Sequence, residues 1–172
     1  NVSCEHVTVG TEPQTTKVRV LAGQHYAAKQ QVIRIDHEPK KEVDAEIRRT
    51  LCSALESAAE TADAIVISDY NYGVVDKEIY DLALSISKRR LIPLIVDSRF
   101  RLTDLPGATS ATPNQDEVEQ ILGPNFKDTD CVSLMERLEL GSLLVTRGNQ
   151  GMLLIELGRP PLAIEAVGST KT

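Results

Sequence analysis

Two continuous apolar runs separated by an amphipathic segment constrain the fold of this chain most strongly. AIVIS (64–68) and LIPLIV (91–96) are almost entirely apolar, as expected of strands that are buried on both faces. Between them, DKEIYDLALSISKRR (76–90) has helical spacing, with Asp76 in position to cap the helix and basic residues at its end. Because strand–helix–strand units of this kind are right-handed and parallel, we predict an α/β fold with a mainly parallel sheet flanked by helices.

Further strands and helices extend this pattern on both sides of the central unit. EVDAEIRRTLCSALESAAETA has apolar residues at three- and four-residue steps, which is typical of a helix. Several short apolar runs near the C-terminus are typical of strands. We predict a helix over 42–62, a strand near 109–111, helices around 114–122 and 130–140, and strands over 142–146, 152–156 and 161–167.

Two segments near the N-terminus have a different pattern, in which apolar and polar residues alternate. TTKVRVLA (15–22) and KQQVIRID (29–36) predict strands with one exposed face, forming a small β sheet outside the main core. Alternation places Lys17 and Arg19 on one face of the first strand, and Arg34 lies in the second strand. These charges either contact an anionic substrate or keep an exposed edge strand soluble.

Charge and composition exclude several classes of protein. A net charge of −6, an aromatic content of 3% and the absence of Trp argue against nucleic-acid binding. No apolar run is long enough for a membrane span, and the first residues lack the pattern of a signal peptide. Cys4, Cys52 and Cys131 are odd in number and scattered, which favours free thiols in the cytoplasm. The missing initiator Met indicates that the chain begins inside a longer gene product.

Polar residues follow four of the predicted core strands. Asp69, Asp97, the segment TPNQDE and Thr146 each come directly after an apolar run. In open α/β sheets, ligands bind at the carboxyl ends of the strands. Each residue also has a structural explanation, because an acid or amide at such a position caps the next helix, as Asn114 could do here. Their coincidence on one edge favours a phosphate or nucleotide site.

The segment LLVTRGNQGMLLIE (143–156) allows two interpretations. It has the composition of a β-hairpin, whose glycines supply the positive φ that a tight turn requires. It also fits a phosphate site, since Gly148 and Gly151 carry no side chain and let a ligand approach the backbone. The segment alone leaves both interpretations open.

The succession of these motifs resembles the ribokinase-like (pfkB) carbohydrate kinases. The similarity is greatest to the kinase domain that phosphorylates D-glycero-D-manno-heptose 7-phosphate, and it runs from about Thr15 to the end of the chain. It implies ATP-dependent formation of heptose 1,7-bisphosphate for ADP-heptose biosynthesis. The motifs that carry it are SDYNYG (68–73), IVDSR (95–99), ATSATPNQDEVEQILG (108–123) and LLVTRGNQGM (143–152), with the two N-terminal strands.

The resemblance assigns ATP and Mg²⁺ to the second half of the chain. Asn114 and Glu117 match the N-x-x-E motif associated with Mg²⁺ and phosphate, with the metal held partly through water. Thr146, Gly148 and Gly151 match the turn that lines the ATP site. Two further residues, Asp97 and Arg99, fall where relatives often carry Asp-Pro-Lys; Arg99 keeps the positive charge but has a forked geometry.

The resemblance assigns the sugar phosphate to the first half. Asp69 matches the SDYxxG segment beside the site, in which Tyr72 replaces a Lys that close relatives often carry. The 15–36 strands correspond to a lid that covers the sugar and pairs with a second subunit, which implies a homodimer. Lys17, Arg19 and Arg34 are therefore candidate substrate contacts.

The family's catalytic base is an Asp in a G-A-G-D motif, expected beyond Thr172. We therefore interpret 1–172 as part of a kinase domain, with 15–36 as lid and 42–172 as part of the core, and expect little turnover from this chain alone. Asp69 and Asp97 are the nearby substitutes for the base. Two alternatives stay open: another sugar or nucleoside kinase of the same fold, and a non-catalytic nucleotide-binding or oligomerisation module.

Overall fold

The computed structural model describes residues 3–7, 15–23, 30–38 and 43–167 and arranges them around two β sheets. The smaller one, called the lid sheet below, pairs β1 (Thr16–Ala22) antiparallel with β2 (Gln30–His37). Both strands lie within one residue of the predicted ranges. Lys29, at the predicted start of the second strand, Glu42, at the predicted start of the first helix, and the last residues, 168–172, lie outside the described residues.

Among the described residues the larger sheet has six strands, in the order in which they occur along the chain. The first four are parallel, the fifth pairs antiparallel with the fourth, and the sixth pairs antiparallel with the fifth. The prediction of a mainly parallel α/β sheet is therefore confirmed. The strands are β3 (Ile65–Asp69), β4 (Leu94–Ser98), β5 (Ser110–Ala111), β6 (Ser142–Thr146), β7 (Met152–Glu156) and β8 (Leu162–Ile164).

Four α-helices accompany the larger sheet in the described part of the chain. They are α1 (Ala45–Ala59), α2 (Lys77–Arg90), α3 (Gln115–Leu122) and α4 (Asp128–Arg137), with short 3-10 turns at Leu102–Asp104 and Gly148–Gln150. Asp76 caps α2 as predicted, since its side chain accepts a hydrogen bond from Ile79 N at 3.0 Å. The helix predicted at 130–140 begins and ends earlier, because Asp130 caps the amide of Lys127 and Glu139 adopts a positive φ.

The strand predicted at 91–96 begins later than expected. Leu91 adopts a left-handed conformation that ends α2, and β4 then runs from Leu94 to Ser98. As a result Asp97 lies within β4, and Asp69 is the last residue of β3 instead of the first residue of the loop, whereas Thr146 ends β6 at the predicted position. The predicted edge is the same, but β3 and β4 end one and two residues later than predicted.

The core lies between the larger sheet and its helices. Leu94, Val96, Leu143 and Val145 are fully buried strand residues that pack with helix residues such as Ile86. β3 forms the outer edge of this sheet, and the Val66 side chain is 66% exposed there. None of the described helices has the length and apolar character needed to cross a membrane.

Candidate functional site

A cavity of about 500 Å³ opens at the carboxyl ends of the parallel strands. Six of the sequence-predicted site residues line it together, namely Asp69, Asp97, Arg99, Asn114, Glu117 and Thr146. Two further lining residues, Thr112 and Tyr70, belong to the predicted segments TPNQDE and SDYNYG but had no individual role assigned. Thr112 directly follows β5, as the strand-end argument predicts for TPNQDE. Tyr70 lies in the SDYNYG motif without having been assigned a contact.

The start of α3 is held by a capping box. The Asn114 side chain accepts from Glu117 N at 2.9 Å, and Glu117 Oε2 accepts from Asn114 N at 2.9 Å. The expectation that Asn114 caps this helix is therefore confirmed. One oxygen of each side chain is used in this way, which leaves the amide NH₂ of Asn114 and the second oxygen of Glu117 without described partners.

The neighbouring strand end is attached to the same point. Thr146 N donates to Pro113 O at 3.0 Å, and Thr146 forms a parallel bridge with Asn114. The ends of β5 and β6 are therefore fixed relative to each other by backbone contacts, and the Asn114 and Thr146 side chains both line the cavity.

Among the described lining residues of the cavity are three carboxyl groups, of Asp69, Asp97 and Glu117, and one guanidinium group, of Arg99. Burial raises the pKa of Glu117 above its usual range and the negative charge of Asp97 adds to this, while the hydrogen bond from Asn114 N and the positive charge of Arg99 act in the opposite direction. The Arg99 guanidinium lies 5.4 Å from the centre of the Phe100 ring. It forms no ion pair with another described residue, so it is available to an anion.

Asp69 is buried and serves to join two strand ends. Its carboxylate accepts from Asn71 N at 2.9 Å and from the Ser98 hydroxyl at 3.0 Å, and Arg101 Nη1 lies 3.9 Å away. These contacts fix the turn that carries Tyr70 and bring the ends of β3 and β4 together. Asp97, by contrast, is exposed at the cavity.

The two glycines of the 147–151 turn have different surroundings. A Cβ on Gly151 would lie 2.0 Å from Ile164 O, so this glycine allows the backbone after β8 to pass close by. A Cβ on Gly148 would meet no atom within 4 Å. The hairpin interpretation is confirmed by the antiparallel pairing of β6 with β7. Of these two glycines, Gly148 alone has open space for a ligand beside it.

The three lid cations also differ from one another. Lys17 Nζ lies 5.2 Å from the centre of the Tyr70 ring and 5.6 Å from that of Tyr72. Arg34 instead pairs with Asp36 on its own strand at 2.9 Å. Arg19 is the cross-strand neighbour of Arg34 and does not line the cavity. Lys17 is thus the cation that the described lid places beside a cavity residue.

Comparison with solved structures defines the class of fold. The chain superposes on Escherichia coli phosphofructokinase-2 in complex with fructose-6-phosphate with a TM-score of 0.60, at 18% identity, over 81% of this chain and 49% of that one. It superposes on Arabidopsis thaliana ribokinase complexed with ribose and ATP with a TM-score of 0.59, at 16% identity, over 94% of this chain and 51% of that one. The chain has the ribokinase-like fold.

Sequence comparison shows which proteins the chain is similar to along most of its length. The chain is 36% identical over 159 residues to the bifunctional protein HldE of Azorhizobium caulinodans, covering 89% of this chain and 32% of the relative. It is 33% identical over 171 residues to HldE of Yersinia enterocolitica, covering 94% and 33%. The chain is therefore homologous to a segment of HldE and spans about a third of the length of these curated relatives. No protein-family profile matches it.

Proposed function

We propose that this chain supplies the nucleotide and sugar-phosphate contacts of an ATP-dependent carbohydrate kinase that converts heptose 7-phosphate to heptose 1,7-bisphosphate in ADP-heptose biosynthesis. The observation that carries the proposal is the cavity in which Asp97, Arg99, Asn114, Glu117 and Thr146 meet at the carboxyl edge of the sheet. Similarity to HldE over 89% of the chain supports the choice of sugar.

The nucleotide phosphates lie along the start of α3 and the 147–151 turn. The amide NH₂ of Asn114, the hydroxyl of Thr146 and the guanidinium of Arg99 are donors suited to phosphate oxygens. Gly148 lets a phosphate approach the backbone, since nothing lies within 4 Å of its missing side chain. Gly151 acts on this site indirectly, by allowing the turn to close against residues 164–166.

Glu117 would hold Mg²⁺, with Asn114 contributing through water. The donor set fits a hard cation, because Glu117 keeps one carboxylate oxygen outside the capping box and Asp97 adds negative charge nearby. The described residues contain no group of three or more His, Cys, Asp or Glu that could hold a metal alone. Nucleotide phosphates and water would supply its other ligands, as is usual for Mg²⁺. When bound, the ion would supply positive charge to neutralise the phosphates.

These residues position the reactants and neutralise charge, and transfer also requires a proton acceptor. The Asp69 carboxylate already accepts hydrogen bonds from Asn71 N and the Ser98 hydroxyl. We therefore assign it a structural role, which is to fix the substrate side of the cavity. We assign no catalytic base among the described residues.

The lid sheet has one charged and one apolar face, and each has a role in this proposal. Lys17, with Arg19 and Arg34 on the same face, contacts the phosphorylated sugar. The opposite face carries Val18, Val20, Ile33 and Ile35, each 42–51% exposed, and pairs with a second copy to form a homodimer. The reaction takes place in the cytoplasm, where ATP is available and thiols stay reduced.

The test is a substrate panel with the gene product that carries these residues. ADP formation from Mg²⁺-ATP is measured with heptose 7-phosphate, fructose 6-phosphate, ribose or no sugar, and the product is identified by ³¹P NMR. The proposal requires ADP formation with heptose 7-phosphate and a new phosphate at C1. Preference for another sugar would support a different kinase of this fold. Nucleotide binding without transfer to any sugar would support a binding module.

A further inference from the structure

The turn after β3 carries two stacked tyrosines beneath the lid sheet. The Tyr70 and Tyr72 ring centres are 6.3 Å apart, and the ring planes differ by 12°. Lys17 Nζ lies 5.2 Å and 5.6 Å from the two centres, within the range of a cation–π interaction. One ammonium group therefore contacts both members of the pair, which we call the tyrosine pair.

Burial sets Lys17 apart from the rest of the lid sheet. The residues of β1 and β2 are exposed except for Lys17 and its cross-strand partner Asp36, which are partly covered. No ion pair joins these two described residues: Asp36 Oδ2 binds Arg34 at 2.9 Å, and Asp36 Oδ1 has no hydrogen-bond partner. No other described carboxylate pairs with Lys17. Ring faces attract a cation without neutralising it, so the charge of Lys17 stays available to an anion.

The tyrosine pair is itself fixed from both sides. The Tyr72 hydroxyl donates to Glu38 Oε1, just after β2, at 2.9 Å. On the other side, Asn71 adopts a φ of 61° and its amide donates to the buried Asp69. Tyr70 also lines the cavity. The pair thus links both strands of the lid sheet to the rim of the cavity.

We propose that Tyr70 and Tyr72 are positioning residues that hold the Lys17 ammonium at the cavity rim, where it binds the phosphate group of the sugar phosphate. This inference rests on the proposed function. It goes beyond it by assigning phosphate recognition to a lid lysine whose place is set by two aromatic rings of the core.

Binding of the phosphorylated and the unphosphorylated sugar tests this inference directly. Dissociation constants for heptose 7-phosphate and heptose are measured by isothermal titration calorimetry on the gene product that carries these residues. We expect Lys17→Met to weaken heptose 7-phosphate binding about tenfold, and Tyr72→Leu about three- to tenfold, with heptose binding unchanged. Circular dichroism and the melting temperature check that each variant is folded.

Conservative variants separate positioning from a general structural role. Tyr70→Phe keeps the ring and breaks none of the described hydrogen bonds, and we expect an affinity close to that of the parent protein. In the Lys17→Met background, Tyr72→Leu should cause no further loss, because both changes remove the same contact. Equal losses with and without Lys17, or a loss shared by heptose and heptose 7-phosphate, would overturn the inference.

The result also separates this inference from the proposed kinase activity. Failure of the parent protein to bind heptose 7-phosphate would overturn the positioning role. Binding with the expected variant pattern, but without ADP formation, would support it and contradict only the kinase activity.

Discussion

Glu117 combines a structural and a chemical role in one carboxylate. Oε2 completes the capping box of α3, and the side chain lies in the cavity near Asp97. Because the box fixes the rotamer, the second oxygen is held in place before any ligand arrives. Local helix chemistry thus places the residue that we propose to hold Mg²⁺.

Glu117→Gln should preserve the fold and change its pH dependence. Glutamine can accept the same bond from Asn114 N, so we expect the free energy of unfolding at pH 7 to stay within about 1 kcal/mol. A carboxyl with a raised pKa binds more protons in the folded state, so its contribution is lost as pH rises above the usual value of 4.5. Urea unfolding between pH 4 and 7 should show a smaller decline for the variant. An identical decline would contradict the assignment.

Gly148 and Gly151 should respond differently to alanine. Gly151→Ala places Cβ against the carbonyl of Ile164 and should lower the free energy of unfolding by about 2–4 kcal/mol. Gly148→Ala adds only the cost of a positive φ, about 1 kcal/mol. It should nonetheless weaken Mg²⁺-ATP binding, measured by calorimetry. Equal destabilisation, or unchanged ATP affinity of Gly148→Ala, would contradict this division of roles.

At the scale of elements, side-chain contacts between neighbouring elements keep the strand ends in register. Asp69 joins β3 to the Ser98 hydroxyl at the end of β4. Tyr80, buried in α2, shares its one hydroxyl proton between the carbonyls of Leu105 and Pro106, at 2.8 and 2.7 Å. This contact orients the loop that leads into β5 and Thr112. The cavity therefore depends on helix α2, although no residue of α2 lines it.

Tyr80→Phe should lower the free energy of unfolding by about 1–2 kcal/mol, because the buried Leu105 carbonyl and the neighbouring Pro106 carbonyl lose the hydroxyl that they share. Burial raises the pKa of the Tyr80 phenol to about 12. Its folded state therefore holds the proton more tightly, and this contribution to stability is lost as pH rises from about 10 to 12. The variant should lose less stability over that interval in thermal unfolding. Parallel curves for the two proteins would count against this role.

At the scale of the whole molecule, the described chain leaves apolar surface exposed. Cross-strand pairs of Val18 with Ile35 and of Val20 with Ile33 form one face of the lid sheet. Contiguous apolar patches of this kind mark interaction surfaces. The opposite, charged face contacts the tyrosine pair through Lys17, so the apolar face is the one left for a second copy.

Ile33→Lys should shift the protein from dimer to monomer, since it places a charge in that apolar face. Leu91→Asn is the matched control. Leu91 is 90% exposed away from the lid sheet and has a left-handed conformation that Asn tolerates. Sedimentation velocity at several concentrations distinguishes the two states. A dimer that persists in Ile33→Lys, or is lost in Leu91→Asn, would contradict the proposed interface.

The sequence pattern was sufficient to predict the sheet and the edge that carries the candidate site, because both depend on the local order of residues along the chain. Apolar runs locate the strands, and the residues after them share an edge whatever the loop conformations are. Contacts between distant segments could not be predicted in this way. Only the close approach of residue 164 distinguishes Gly151 from Gly148, and only the docking of the lid sheet brings Lys17 to Tyr70 and Tyr72.

ADP formation that depends on heptose 7-phosphate, compared between the parent protein and Glu117→Gln, tests the central claim most directly. Glu119→Gln is the control, since Glu119 lies on the same helix and does not line the cavity. The gene product that carries these residues should form ADP only when the sugar phosphate is present. Glu117→Gln should abolish this activity, and Glu119→Gln should keep it. No sugar-dependent ADP, or an unchanged rate in Glu117→Gln, would contradict a kinase built on this cavity.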